Sequence, residues 1–129
     1  LVGAQISTLV VDDNEGFRNG LVTYLRTLKG IHVVAEAKDG LEAIALTGTL
    51  SPELVLMDVS MPGMGGLEAA RIIKEQHHEI KVVLVTIHEE ETYRRLANLV
   101  HADGFVCKST VKHDLPVVLG KIRSDLNKH

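Results

Sequence analysis

Five short apolar runs punctuate the sequence, Ile6–Val11, His32–Ala37, Leu54–Met57, Lys81–Thr86 and Gly104–Cys107, and each is followed by an amphipathic stretch. Alternation of this kind is the pattern of β-α repeats that feed a parallel sheet. The runs are rich in Val, Leu and Ile without strict alternation, a composition suited to strands covered on both faces. Between them, Phe17, Leu21, Leu25 and Leu28 fall on one helical face, and Leu41, Ile44 and Ala45 on the next. Leu67 through Ile73 gives a third helix, and Tyr93, Leu96, Ala97 and Val100 a fourth. The clearest stripe is Leu115, Val118, Leu119, Ile122 and Leu126. Asp39 is the expected N-cap of the second helix. Asp114 is the expected cap of the fifth, which would put Pro116 in a first turn where a missing N–H costs little.

Right-handed crossovers convert this order into a three-layer α/β/α sandwich, and by analogy with flavodoxin-like (βα)5 domains the five-stranded parallel sheet is expected in the order 2-1-3-4-5. At 129 residues the chain suits one such domain, expected over residues 6–127, with 1–5 and 128–129 as terminal segments. Fourteen basic against 17 acidic residues give a formal charge of −3, whereas a nucleic-acid footprint would need a basic surplus. No apolar run approaches the ~20 residues of a membrane span. Cys107 is the sole cysteine and cannot form an internal disulfide, and no basic-then-apolar leader precedes Ile6. The expected compartment is therefore the reducing cytoplasm, away from the membrane.

In such a fold, ligands sit beyond the carboxyl ends of the strands. The first strand delivers Asp12 and Asp13 there, the third Asp58, the fourth Thr86 and the fifth Lys108. The second delivers nothing comparable, and the order 2-1-3-4-5 places it at an edge while gathering the other four. Taken alone, Asp12–Asp13 reads better as helix capping, and a lone Thr or Lys carries less still. Agreement at four strand ends requires that bland reading to explain each member separately. Three converging carboxylates repel unless a cation neutralises them, and all-oxygen ligands favour Mg²⁺. Lys108 adds a compact positive charge and Thr86 a hydroxyl donor, both suited to phosphoryl oxygens. Asp58, central in strand order, is the candidate nucleophile for phosphoryl transfer.

These residues carry a resemblance. "VVDDNEGFRNGL", "PELVLMDVSMPGMGGLEAARIIK", "VVLVT" and "ADGFVCKS" resemble the acid-pair, phosphoacceptor, hydroxyl and lysine segments of response regulator receiver domains of two-component systems. The match runs from Ile6 to Leu126 and is most similar to receivers of the NarL/FixJ (LuxR-type) family. It implies a phosphorylation-activated switch, not a turnover enzyme. Asp58 would accept phosphate from a histidine kinase, and Asp12, Asp13, Asp58 and the Ser60 backbone carbonyl would hold Mg²⁺. Thr86 and Lys108 would contact the phosphoryl oxygens, and Phe105 would take the place of the switch aromatic. The face made by the fourth helix, fifth strand and fifth helix would change shape. The implied output is DNA binding through a C-terminal helix-turn-helix domain absent from this chain, and a homodimer on phosphorylation is a further hypothesis.

The sequence departs from the family pattern in places. Ser109 follows the lysine where Pro is common, so a trans peptide is expected. Gly65 stands where Asp is common and offers helix three no side-chain cap. His101 occupies a usual Gly position, in an expected left-handed conformation. A haloacid-dehalogenase-like Mg²⁺ phosphatase is the competing enzyme reading, yet it wants acid-any-acid and Asn14 stands two after Asp12. A stand-alone receiver acting by protein binding is another alternative. A flavodoxin-like cofactor binder fits the fold, but two Phe, two Tyr and no Trp leave little to sandwich a flavin. The seven histidines lack zinc spacing. His88 alone among them lies close enough to Thr86 to influence water attack on an acyl phosphate. Cys107 reads as a small buried residue, and "HEEET" as a solvated helix start.

Overall fold

A computed structural model describes residues 5–59, 61, 63–87, 95 and 97–128. Its elements are β1 (Ile6–Val11), α1 (Glu15–Arg26), β2 (Ile31–Ala37), α2 (Gly40–Leu50), β3 (Leu54–Asp58), α3 (Gly66–Gln76), β4 (Lys81–Thr86) and β5 (Gly104–Cys107). A 3-10 turn, Lys108–Thr110, leads into the C-terminal helix, Val111–Leu126. The strands form one parallel sheet, as the alternation of runs predicts, in the expected flavodoxin-like order β2-β1-β3-β4-β5. Of the expected fourth helix, Tyr93 and Leu96 lie outside the described residues, and Ala97 and Val100 lie within them.

Successive strand residues point to opposite faces, and each face has its own core. Leu9, Val11, Val55, Met57, Val82 and Leu84 join Ala43 of α2 and Ala69, Ala70 and Ile73 of α3. Val10, Leu54, Leu56, Val83 and Val85 join Leu21 and Leu25 of α1 and Leu115, Leu119 and Ile122 of the C-terminal helix. Burial on both sides explains why the strands read as continuous apolar runs.

Local signals account for most helix starts. Asn14 accepts the Phe17 N–H at 2.8 Å and caps α1; Asp39 accepts the Glu42 N–H at 2.8 Å and caps α2, as expected. Gly65 precedes α3 with no side-chain cap, the expected cost of lacking Asp there. His101 is left-handed, with φ of 60°, and the Lys108–Ser109 peptide is trans.

Two helical expectations need correction. In α2 Ala43 and Thr47 are buried and Ile44 packs partly buried against the core as expected, while Leu41 is 66% exposed and Ala45 is also exposed. The segment is apolar around most of its circumference, so periodicity does not select a face, and small residues win the close contact. Thr47 is admitted because its hydroxyl donates to the Ile44 carbonyl at 2.8 Å. The C-terminal helix begins at Val111, so Pro116 lies inside it rather than in its first turn. An interior proline costs about 3 kcal/mol, partly because the carbonyl four residues earlier loses its donor. That carbonyl belongs to Lys112, and the Tyr24 hydroxyl donates to it at 3.2 Å. Asp114 does not cap; it accepts from the Thr110 hydroxyl at 2.6 Å.

Gly66, the first residue of α3, fixes the loop after β3. A Cβ there would collide with the Asp58 carbonyl, and the Gly66 N–H donates to the Val59 carbonyl at 3.1 Å. Gly66→Ala is therefore expected to destabilise the chain by about 1–3 kcal/mol in urea unfolding, the usual range for forced overpacking. Gly48, inside α2 with open space around it, sets the contrast. Gly48→Ala is expected to stabilise by about 0.5–1 kcal/mol through helix propensity alone. Equal and small effects from both substitutions would contradict the close approach at Asp58.

Candidate functional site

Strand register sets the geometry of the crevice. Val11 pairs with Met57, so Asp12 and Asp58 emerge level on neighbouring strands. Asp58 pairs with Val85 and Thr86 with Cys107, so Thr86 and Lys108 follow at the same end. Asp12, Asp58 and Thr86 are 1%, 3% and 1% exposed, and Asp13 faces solvent. β2 contributes a backbone contact: the Ala37 carbonyl accepts the Asp12 N–H at 3.0 Å. The four strand ends named from the sequence are thus brought together, and the second strand lies at the edge.

One carboxylate oxygen from each of Asp12, Asp13 and Asp58 lies within 4.8 Å of the others. Among the described residues this is the cluster of metal-ligating side chains, and it includes no histidine. Lys108 Nζ lies 2.8 Å from Asp12 Oδ2 and 3.5 Å from Asp58 Oδ1. Its ammonium also sits 4.4 Å from the centroid of the Phe17 ring, within cation–π range. Asp12 Oδ1 accepts the Asn14 N–H at 2.9 Å, which anchors the deepest carboxylate. Three ionised carboxylates and one ammonium leave two negative charges, the amount a divalent cation balances. An all-oxygen set of carboxylates suits a hard, oxygen-seeking ion such as Mg²⁺. The donor set fits such an ion in charge and in ligand type.

Phe105 is half-buried and packs against the core cluster that holds Leu84 and Ala97. Cys107 is buried, in keeping with a packing role. Ile87, next to Thr86, is 64% exposed. Ser60 and His88 lie outside the described residues. Asn14, which fails the dehalogenase pattern, has its side chain engaged in capping α1.

Sequence reasoning missed two contributors. Phe17 registered only as one member of an apolar stripe, although its ring faces the lysine. Arg18 gave no signal at all, because its partners are a backbone carbonyl and a glutamate on another strand. Its Nη1 donates to the Asp12 carbonyl at 2.7 Å and its Nε to Glu36 Oε1 at 3.1 Å.

Comparison with known proteins agrees with this arrangement. Residues 8–119 match the family model described as the response regulator receiver domain. The response regulator GacA of Pseudomonas viridiflava is 42% identical over 103 residues, which are 80% of this chain and 48% of that protein. This chain spans about half the length of the curated relatives it matches. Among solved structures, the signal receiver domain of a protein designated response regulator NarL from Mycobacterium tuberculosis superposes with a TM-score of 0.85. It is 31% identical, over 94% of this chain and 98% of that one. A DNA-binding response regulator of the LuxR family from Staphylococcus aureus gives a TM-score of 0.83 at 28% identity, over 91% of this chain and 98% of that one.

The charge balance has a direct consequence for stability. Lys108→Met keeps the side-chain length but leaves Asp12 and Asp58 without their ammonium. In metal-free buffer it is expected to lower unfolding free energy by about 2 kcal/mol, the scale of a hydrogen bond to a charged group. An unchanged urea midpoint would mean that Lys108 offsets no repulsion.

Proposed function

Because this chain belongs to the response regulator receiver domain family, we propose that it is a phosphorylation-activated switch in which Asp58 accepts a phosphoryl group from a histidine kinase. The observation that carries this reading is the convergence of the Asp12, Asp13 and Asp58 oxygens beside Lys108. Asp12, Asp13 and Asp58, with the Ser60 carbonyl, would hold Mg²⁺. When bound, that ion supplies electrostatic stabilisation of the transferring phosphoryl group.

The chain's own residues do the rest. A carboxylate oxygen of Asp58 attacks phosphorus as the P–N bond to the kinase imidazole breaks, and the leaving nitrogen keeps the bonding pair. Lys108 shifts from its pairing with Asp12 toward the new phosphoryl oxygens, and the Thr86 hydroxyl donates to one of them. Movement of Thr86 vacates space beside β4, and Phe105 on the neighbouring strand rotates inward to fill it. Both states pre-exist, and phosphorylation shifts their populations. The surface between β5 and the flanking helices is then altered for the output. Residues 6–127 would form the receiver unit, working in the cytoplasm and acting on DNA through a helix-turn-helix domain beyond this chain. Among the described residues, no helix is long and apolar enough to cross a membrane. Pairing of two copies would double the sedimenting mass on adding beryllofluoride; an unchanged mass would exclude it.

One preparation tests acceptor and switch together. With Mg²⁺ and acetyl phosphate, intact mass is expected to show one added phosphoryl group, stable to acid and labile to base, and none in Asp58→Asn. Phe17 and Phe105 are the two phenylalanines of the chain, so fluorophenylalanine labelling yields two resonances. Beryllofluoride should move both in the wild type, and Thr86→Ala should leave the Phe105 resonance in place. Equal phosphorylation of Asp58→Asn would overturn the acceptor; a Phe105 shift that survives Thr86→Ala would overturn the coupling.

A further inference from the structure

We infer that Arg18 is a positioning residue for the cation site, aiming the Asp13 carboxylate by clamping the peptide that joins Asp12 to Asp13. This rests on the Mg²⁺ site proposed above and extends it to a residue that touches neither metal nor phosphate. The Asp12 carbonyl belongs to the same peptide plane as the Asp13 N–H, so the direction of that carbonyl sets the direction in which Asp13 leaves the strand. Asp12 and Asp58 are buried and held, Asp12 by the Asn14 N–H and both by Lys108. Asp13 is exposed, and among the described residues its side chain makes no hydrogen bond or ion pair, so the backbone orients it toward its two partners.

Arg18 supplies that orientation from α1. Its planar fork uses two N–H groups for two different elements: Nη1 reaches the Asp12 carbonyl at 2.7 Å, and Nε reaches Glu36 Oε1 on β2 at 3.1 Å. The guanidinium side chain is 17% exposed, so the contact is partly shielded from water. With the Asp12 N–H already donated to Ala37 of β2 at 3.0 Å, both backbone groups of Asp12 are tied, one directly and one through Arg18, to the edge strand. A lysine has one compact donor head and cannot reproduce the two-way fork.

Charge and geometry here act in opposite directions, and that makes the inference testable. Arg18 is a cation close to a site that would bind a cation, so as a charge alone it weakens binding. As a clamp it strengthens binding, in the way that outer partners of metal ligands do, at about 10-fold or more in affinity. Calorimetric titration of the purified wild-type, Arg18→Met and Arg18→Lys chains with Mg²⁺ separates the two. The expected result is a dissociation constant about 10-fold higher for Arg18→Met, with Arg18→Lys falling between it and the wild type. Urea midpoints in metal-free buffer are expected to change far less than the affinity. Tighter or unchanged binding by Arg18→Met would overturn the positioning role and leave only a charge effect. No Mg²⁺ binding by the wild type would overturn the metal site, and the inference with it.

Discussion

Like charge held at short range is the constraint on which this molecule is built. Two buried aspartates and one exposed aspartate bring oxygens within 4.8 Å of one another at the edge of an apolar core. Such a cluster is unfavourable in isolation, since neighbouring carboxylates oppose each other's ionisation. The fold tolerates it because Lys108 is delivered to the same place, 2.8 Å from Asp12, and because Asn14 and Arg18 donate to the side chain and backbone of Asp12. A divalent cation would complete the balance, and a phosphoryl group arriving on Asp58 would redistribute it. The site is poised because its neutralising lysine is shared between two carboxylates.

The scaffold is arranged so that this charge cannot relax by spreading apart. Asp12 and Asp58 follow directly from strands buried on both faces, and register holds their strands side by side. Behind Asp58, Gly66 lets the start of α3 pass against the strand's last carbonyl, a contact that no side chain would permit. On the other flank, Tyr24 donates to the carbonyl that Pro116 leaves without a donor, joining α1 to the C-terminal helix. That helix follows the turn that begins with Lys108, so the junction also bears on where the lysine stands.

The fold was legible in the sequence to the extent that period and composition report burial. The five strands and the four polar strand ends follow from runs of Val, Leu and Ile and from what immediately succeeds them, the cap at Asp39 from its residue type, and the strand order from analogy with flavodoxin-like folds. The acidic crevice was legible for the same reason, since residues at strand ends share an address once the order is known. What could not be read depends on contacts distant in sequence. α2 presents apolar residues in most directions, so its buried Ala43 and Thr47 are chosen by the neighbours they meet. Pro116 reads as a first-turn residue until the Tyr24 hydroxyl, 88 residues away from Lys112, is seen to replace its missing donor. Arg18 and Phe17 carry no motif of their own, and their roles arise from Glu36, the Asp12 carbonyl and the Lys108 ammonium.

The most direct measurement of the central claim is the Mg²⁺ dependence of urea unfolding in the wild type and in Asp13→Asn. If three carboxylates await a cation, the wild type gains about 1.4 kcal/mol when free Mg²⁺ stands about ten times above its dissociation constant. The Asn variant, relieved of one charge, should be no less stable than the wild type without metal and should gain far less with it. A wild type indifferent to Mg²⁺, or a variant that gains as much as the wild type, would contradict the claim that the acidic cluster is a cation site.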